Sequence, residues 1–146
     1  MVRWRPRSRR ISALLVLVTV CLAGAVRAGD PPGETYECAM RSQGSGGWIG
    51  PVMFLTIDRG SERGVVMDAV IYAAHGIPIE VDTTRRSDTL WVFRWTVEDV
   101  PMLNEGSGTV RYRASLNTAT RKVRVTGVLL GYDNNISGSG DCRDIG

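Results

Sequence analysis

Two cysteines near the ends of the chain set the strongest constraint on its fold. Cys38 lies within the alternating stretch TYECAM, and Cys142 lies four residues before the C-terminus. A disulfide between them would close a loop of roughly 100 residues, which the chain-entropy model values at about 4–5 kcal/mol. Bridged Cα atoms lie within ~7 Å of each other, so the first and last segments of such a domain must be neighbours. Two unpaired thiols are the alternative.

The N-terminal segment bears on whether these cysteines can pair. Residues 1–10 carry five arginines and no acid, residues 11–26 are uncharged and apolar, and Val26 and Ala28 precede Gly29. This order is typical of a secretory signal peptide, and the apolar run is short for a membrane span, which needs ~20 residues. We expect a signal peptide over residues 1–28 and a single domain over residues 29–146, with no transmembrane span after cleavage. An uncleaved anchor is the alternative.

Export would remove the third cysteine, Cys21, and leave an even pair. Disulfides persist in oxidising compartments, so we expect Cys38 and Cys142 to be bridged in a periplasmic or secreted protein. The full chain has 18 basic and 15 acidic residues, but six of the basic ones precede Gly29. The expected mature chain therefore has 12 basic and 15 acidic residues, a formal charge of −3. This balance does not suggest a nucleic-acid partner or an anionic membrane.

The sequence between the cysteines alternates strand-like runs with turn-rich clusters. The clusters are SQGSGG, RGSERG, HGIP, RRSD, NEGSG, NTAT and DNNISGSG. Short strands at regular spacing, separated by turn signals, are typical of an antiparallel sandwich or barrel. We predict an all-β fold, a small antiparallel up-and-down β-barrel or sandwich of about 7–8 strands, closed by the disulfide between the N- and C-terminal segments. The clearest hairpin is the pair of runs TVRYRASLN and RKVRVTGVLL around NTAT.

The segment VVMDAVIYAAHG, residues 65–76, fits two structures. It is apolar on both strand faces except at Asp68. Its β-branched residues and Tyr72 favour a strand, whereas two alanines and a final Gly76 favour a helix that ends at the glycine. We favour the strand and keep the helix as the alternative.

Two ionisable residues of this segment are candidates for chemistry. Asp68 interrupts an otherwise apolar run, and a buried carboxylate must be paired, hydrogen-bonded or protonated. It could orient a ligand or act as an acid, but pairing with an arginine such as Arg94, or exposure on a strand face, is the more ordinary expectation. His75 is the single histidine, and a histidine at a turn is more often half in solvent than catalytic.

Aromatic residues and acids on alternate positions give two further candidates. Trp91, Phe93 and Trp95 share one strand face and could line a ligand cavity, although such residues usually form core. Glu80 and Asp82 share a face that could attract a cation, but they fit a solvated strand face better. We expect no metal site and no cofactor, since neither a metal-ligand set nor a phosphate-binding loop is present.

The runs VMFLTI and VVMDAVIYAA lie on either side of the six-residue turn RGSERG, so we expect them to pair. Both lack the polar alternation of a sheet with one face in water, so one face would need a cover. The loop EDVPMLNEG could supply it from within the chain. Otherwise the face is an apolar patch, and such patches usually mark interaction sites. The interface candidates are Val52, Met53, Leu55, Met67 and Tyr72, and the partner could be a second copy.

These features favour a non-catalytic binding protein for a small apolar ligand or a protein partner, with a homodimer as one form of the latter. A small periplasmic hydrolase or isomerase is the first alternative. It would use Asp68 or His75 beside the aromatic face of Trp91, Phe93 and Trp95. An envelope-associated structural module is the second alternative.

Overall fold

Eight strands follow one another around a closed barrel, each antiparallel to the next. The computed structural model describes residues 33–44, 47–103 and 106–146, and the expected signal segment lies outside them. The elements are β1 (Glu34–Gln43), β2 (Val52–Ile57), β3 (Arg63–Asp68), α1 (Ala69–His75), β4 (Ile79–Arg85), β5 (Leu90–Pro101), β6 (Ser107–Asn117), β7 (Lys122–Leu129) and β8 (Ile136–Asp144). The prediction of an all-β, up-and-down fold is confirmed, and the barrel is the form that it takes.

The barrel closes where the first strand meets the last. β1 pairs with β8 in an antiparallel register that places Cys38 opposite Cys142. The two cysteines form a disulfide, as the sequence predicts. Both lie on the inward-facing positions of their strands, which they share with the buried Tyr36 and Met40 on β1 and the buried Gly140 on β8. The bond therefore crosses the seam on the inside of the barrel.

Alternating side chains fill the interior. The inward positions of β6 and β7 are the apolar ones that the sequence indicates, from Val110 to Leu116 and from Val123 to Leu129. The hairpin between these strands is confirmed, as is the pairing of β2 with β3. Gly127 lies opposite Tyr112, and a Cβ atom at this glycine would lie 2.9 Å from the tyrosine ring. The missing side chain thus provides the space that the tyrosine occupies.

The ambiguous segment is divided between the two structures. β3 ends at Asp68, and the next seven residues form α1, so the expectation of a strand through residues 69–75 is wrong. Asp68 has an extended backbone and caps the helix, since its Oδ1 accepts a hydrogen bond from the Ile71 amide at 2.8 Å. Gly76 ends the helix in a left-handed conformation (φ 74°). Two local capping signals therefore outweigh the β-branched residues of the segment.

Strand direction places α1 at one end of the barrel, which we call the helix end. The loops after β1, β5 and β7 lie at the same end, because they follow strands that run in the same direction as β3. The opposite end carries the turns after β2, β4 and β6 together with Gly146, whose carbonyl accepts a hydrogen bond from the Thr35 amide at 3.0 Å. The helix end is therefore where irregular segments from distant parts of the sequence meet.

β4 is the least fully paired strand of the barrel. It pairs with β3 only over Ile79–Asp82 and with β5 only over Asp82–Arg85. β5, by contrast, pairs with β6 over most of its length. The stagger opens a gap between β4 and the second half of β5, next to α1, which packs mainly against β5.

Candidate functional site

An apolar groove of about 500 Å³ lies at the helix end. Three segments line it: Gly47 and Trp48 from the loop after β1, Ala69, Val70 and Ala73 from α1, and Val100–Leu103 from the end of β5 and the loop that follows. Its volume lies within the range of known small-molecule sites, about 300–1,000 Å³. The groove is open to solvent on the surface, whereas the barrel interior is filled with side chains.

Asp68 sets the helical wall of the groove. By capping α1 it fixes the start of the helix, so that Val70 and Ile71 turn towards the core and Ala69 and Ala73 remain exposed. Small exposed side chains leave room beside the helix for another molecule. The carboxylate thus shapes the groove, although it is not itself a lining residue.

A hydrogen bond from inside the barrel holds the second wall. Tyr112, on β6, donates from its hydroxyl to the carbonyl oxygen of Trp48 at 2.6 Å. The tyrosine ring is stacked against Trp95, with ring centroids 5.3 Å apart, and is almost fully buried. A rigid core residue therefore anchors the loop that places Trp48 at the groove.

A bulge in β5 produces the third wall. The register with β6 shifts between Val97 and Val100, so that the strand gains one residue relative to its partner. Asp99 takes a left-handed conformation (φ 55°), which aspartate tolerates better than most residues. With regular alternation Asp99 would face inward after Val97, but the extra residue exposes Asp99 and buries Val100. The shift directs apolar residues of this segment towards α1.

The environment of Asp68 favours its protonated form. The side chain is 4% exposed, and its Oδ2 has no hydrogen-bond partner among the described residues. Burial raises the pKa of the carboxyl above its usual value, and the Ile71 and Val70 amides oppose this shift only in part. Arg94, which we considered as a partner, lies on the outer face of the barrel, so the expected pairing is wrong. Asp68 is a helix cap instead.

The structure does not bring Asp68 and His75 together. They lie at opposite ends of α1, one buried and the other exposed. A rise of ~1.5 Å per residue separates them by roughly 10 Å along the helix axis. A shared proton or substrate would need them within hydrogen-bonding distance. This arrangement therefore gives no support to a catalytic pair.

The aromatic face of β5 points into the barrel. Trp91, Phe93 and Trp95 are all buried, with exposed fractions of 6% or less. They pack within the core cluster, and Arg59 lies over the Trp91 ring at 5.8 Å from its centroid. Trp95 also lines a polar cleft of about 370 Å³ in the gap between β4 and β5.

That cleft has walls of opposite charge. Arg94 and Arg111 lie on one side, and Glu80 and Asp82 lie on the other. Glu80 is already engaged by Arg63, with 2.8 Å between the charged atoms. Within the described residues, no group of three or more His, Cys, Asp or Glu side chains could hold a metal ion. The cleft therefore suits polar groups and not an apolar ligand.

The interface candidates fall on different surfaces. Met53 and Leu55 have no exposed surface and pack in the core, whereas Val52 is 38% exposed on the outer face of β2. Met67 is partly buried, on the outer face of β3 opposite Phe54. Tyr72 is 65% exposed on α1. The loop after β5 supplies its apolar side chains to the groove and not to the outer face of β2 and β3.

Sequence reasoning missed most of the groove. It identified the apolar loop residues Val100, Met102 and Leu103 as a possible cover, but it gave no role to Trp48 or Tyr112. The signal for Trp48 was a large apolar residue within a glycine-rich turn.

No helix within the described segments is long and apolar enough to cross a bilayer. Comparison of the chain with protein-family models, curated proteins and solved structures finds no match.

Proposed function

We propose that this protein is a non-catalytic binding protein that takes an apolar ligand, such as an acyl chain, into the groove at the helix end. The groove itself is the observation that carries the proposal. Its lining is apolar on all three walls, and Leu103 at its edge is fully exposed. Covering such a surface with an apolar ligand would remove it from water, at roughly 25 cal/mol per Å².

The walls of the groove are held in place before any ligand binds. The Asp68 cap fixes α1, the Tyr112 hydrogen bond fixes Trp48, and the bulge fixes the end of β5. Preorganised walls lower the cost of binding, because fewer side chains lose freedom when the ligand enters. These fixed walls favour the interpretation of the groove as a ligand site, and not as an exposed apolar surface without a binding role.

The compartment forms part of the proposal. The disulfide between Cys38 and Cys142 is compatible with the periplasm or the extracellular space, where such bonds persist. We place the protein there, after removal of the signal segment at residues 1–28. In that compartment a binding protein would carry or sequester a poorly soluble molecule.

Energy transfer from the tryptophans of the domain to a dansyl-labelled fatty acid tests this function. Ala73→Arg places a long charged side chain in the groove and should weaken probe binding at least tenfold, a loss of about 1.4 kcal/mol. Tyr72→Arg, which introduces the same charge one residue away and outside the groove lining, is the matched control and should bind as the wild type does. Equal loss in both variants, or none in Ala73→Arg, would refute the proposal.

A further inference from the structure

Ion pairs are distributed unevenly over the barrel surface. Six basic residues each have a carboxylate oxygen within 3.1 Å, namely Arg41, Arg59, Arg63, Arg85, Lys122 and Arg143. Four exposed arginines on the outer face of β5, β6 and β7 form no ion pair with any described residue: Arg94, Arg111, Arg113 and Arg124. We call these four the arginine wall.

The strand register makes the four residues of the arginine wall neighbours on the sheet. Arg94 is the direct cross-strand partner of Arg113. Arg111 lies two residues from Arg113 on the same face of β6, and Arg124 lies on β7 opposite Ser115, diagonal to Arg113. Cross-strand partners have Cβ atoms about 4.5–5.5 Å apart, and like charges placed in this way destabilise a sheet. Charge repulsion within this cluster therefore opposes folding.

Acids lie beside the wall, but none of the described ones forms an ion pair with its arginines. Asp82 stands opposite Arg94 on β4, but the two form no ion pair in the described structure. Arg94 instead makes a long contact of 3.5 Å with the Thr84 hydroxyl. The nearest outward positions carry Thr96, Ser115, Thr126 and Val92, and the acid Glu98 follows further along β5 without an ion pair in the described structure. Positive charge therefore accumulates here, although the described domain as a whole is not basic.

An apolar rim continues from the wall towards the helix end. Val128 is the cross-strand partner of Arg111 and is 43% exposed. Leu130 and Tyr132 follow in the loop after β7 and are also exposed. An arginine cluster that borders exposed aliphatic and tyrosine side chains matches the two layers of a membrane surface, charged headgroups and the apolar region beneath them.

We propose that the arginine wall and its apolar rim dock on the surface of a membrane that contains anionic phospholipids. Guanidinium groups bind phosphate oxygens in bidentate fashion. The wall lies on the outer surface of the barrel, where an extended surface can reach it, and Arg94 and Arg111 also border the polar cleft. Among the described residues it presents no aromatic side chain between the arginines on which a base could stack, which disfavours single-stranded nucleic acid. The rim adds apolar contacts that a purely acidic protein surface would not use.

Docking through the wall is independent of ligand binding in the groove. No wall or rim residue lines the groove within the part of the chain that the structure describes. Ala73→Arg should therefore retain vesicle binding even though it loses the fatty-acid probe. The two proposals can thus fail separately.

Vesicle co-sedimentation of the disulfide-bonded protein tests the inference. We expect binding to vesicles of phosphatidylcholine mixed with phosphatidylglycerol, no binding to phosphatidylcholine alone, and weaker binding as salt increases. Each arginine near an anionic surface contributes about fivefold to affinity, so Arg94→Gln/Arg113→Gln should reduce it roughly 25-fold. Adding Leu130→Gln to this double variant should reduce its vesicle affinity further, and by the same factor at every salt concentration.

The matched control is Arg85→Gln/Arg143→Gln, which removes the same formal charge from arginines that are already ion-paired. It should lower vesicle affinity less than threefold, an order-of-magnitude expectation for charges outside the docking face. Thermal unfolding should show that both double variants fold. Equal losses in the two pairs, or no binding to anionic vesicles, would overturn the proposal, as would binding to polyglutamate in place of vesicles.

Discussion

Cys38 and Cys142 are direct partners across the seam of the barrel, with their Cα atoms 3.9 Å apart. They are 104 residues apart in sequence, so the bond fixes the pairing between the first and last strands of the barrel. Cys38 has no exposed surface and Cys142 is 8% exposed. The disulfide is therefore shielded from solvent and constrains the unfolded chain strongly.

Removing the disulfide should destabilise the barrel without abolishing it. We expect Cys38→Ala/Cys142→Ala to lose about 2–5 kcal/mol of unfolding free energy, because the unfolded chain regains its loop entropy. The register pairs on either side of the bridge should still close the seam. Urea denaturation followed by circular dichroism measures the loss. Two thiols that react with a label in the non-reduced mature protein would contradict the assignment.

Substitutions on the two faces of β2 should have opposite consequences. Leu55→Asp and Met53→Asp place a charge in the barrel core and should each cost more than about 4 kcal/mol, a large part of the roughly 5–15 kcal/mol by which a typical domain is stable. Val52→Asp alters a residue that is 38% exposed and should change stability by less than about 0.5 kcal/mol. Thermal melts of the three variants distinguish these outcomes. A folded Leu55→Asp protein would show that Leu55 faces outward and not into the barrel core.

The same strand bears on the prediction of a homodimer. Val52 and Phe54 are exposed on the outer face of β2, and Met67 lies beside Phe54. If two copies associate through this patch, Val52→Asp should give a folded monomer. Analytical ultracentrifugation over a range of concentrations measures the association. A wild-type protein that remains monomeric at high concentration would show that this patch is not a homodimer interface.

Asp68 should give the stability of the domain a distinctive dependence on pH. Its pKa is raised in the folded state, mainly by burial. The folded protein therefore binds the proton more tightly than the unfolded chain, whose Asp pKa is about 3.9. The resulting stabilisation is fully present below the unfolded pKa and is lost as pH rises through the folded pKa. Asp68→Asn keeps a capping group without the charge, so it should be more stable than the wild type at pH 7.

The advantage of Asp68→Asn should shrink as pH falls, because the wild-type carboxyl then becomes neutral as well. Glu34 and Asp141 act in the opposite direction. Hydrogen bonds from Arg59 and Lys122, respectively, lower the pKa values of these two carboxyls, so their contributions are lost on acidification. Asp68→Ala should be less stable than Asp68→Asn at every pH, by about 1 kcal/mol, since the cap is lost. Paired urea titrations between about pH 4 and pH 8 measure these differences.

Incomplete pairing should make β4 the most labile strand. Of its residues, Asp82 is the one whose register partners lie on both neighbouring strands, whereas most of β6 is paired on both sides. Local opening requires the loss of fewer contacts in such a strand. We expect amide hydrogens of residues 79–85 to exchange faster than those of residues 110–116 in the same protein. Equal protection of the two strands, measured by NMR, would show that the gap beside β4 does not weaken it.

The barrel was predictable because alternation and turn spacing act over short distances, and because two cysteines left one pairing. α1 was less predictable, since its apolar residues suit either structure and the outcome depended on where Asp68 found a hydrogen bond. The groove depends on the β5 bulge, which changes which residues of the strand face inward after Val97. No unusual residue in the sequence indicates that a bulge forms there. The arginine wall was hidden by the overall charge. Its members were visible as outward residues, but only the register shows that Arg94 and Arg113 are adjacent.

The seam between β1 and β8 also means that the strand order is circular. The Ile145 amide donates to the Thr35 carbonyl at 2.9 Å, so the chain returns to its first strand. A circular permutant that joins Gly146 to residue 33 through a short linker and opens in the turn at residues 118–121 would keep every strand pairing. Its disulfide would then close a loop of roughly 15 residues and contribute ~3 kcal/mol, not the ~4.7 kcal/mol of a loop near 100 residues. The stabilisation that the bond provides thus depends on the order in which the chain visits the strands, and not only on the bond.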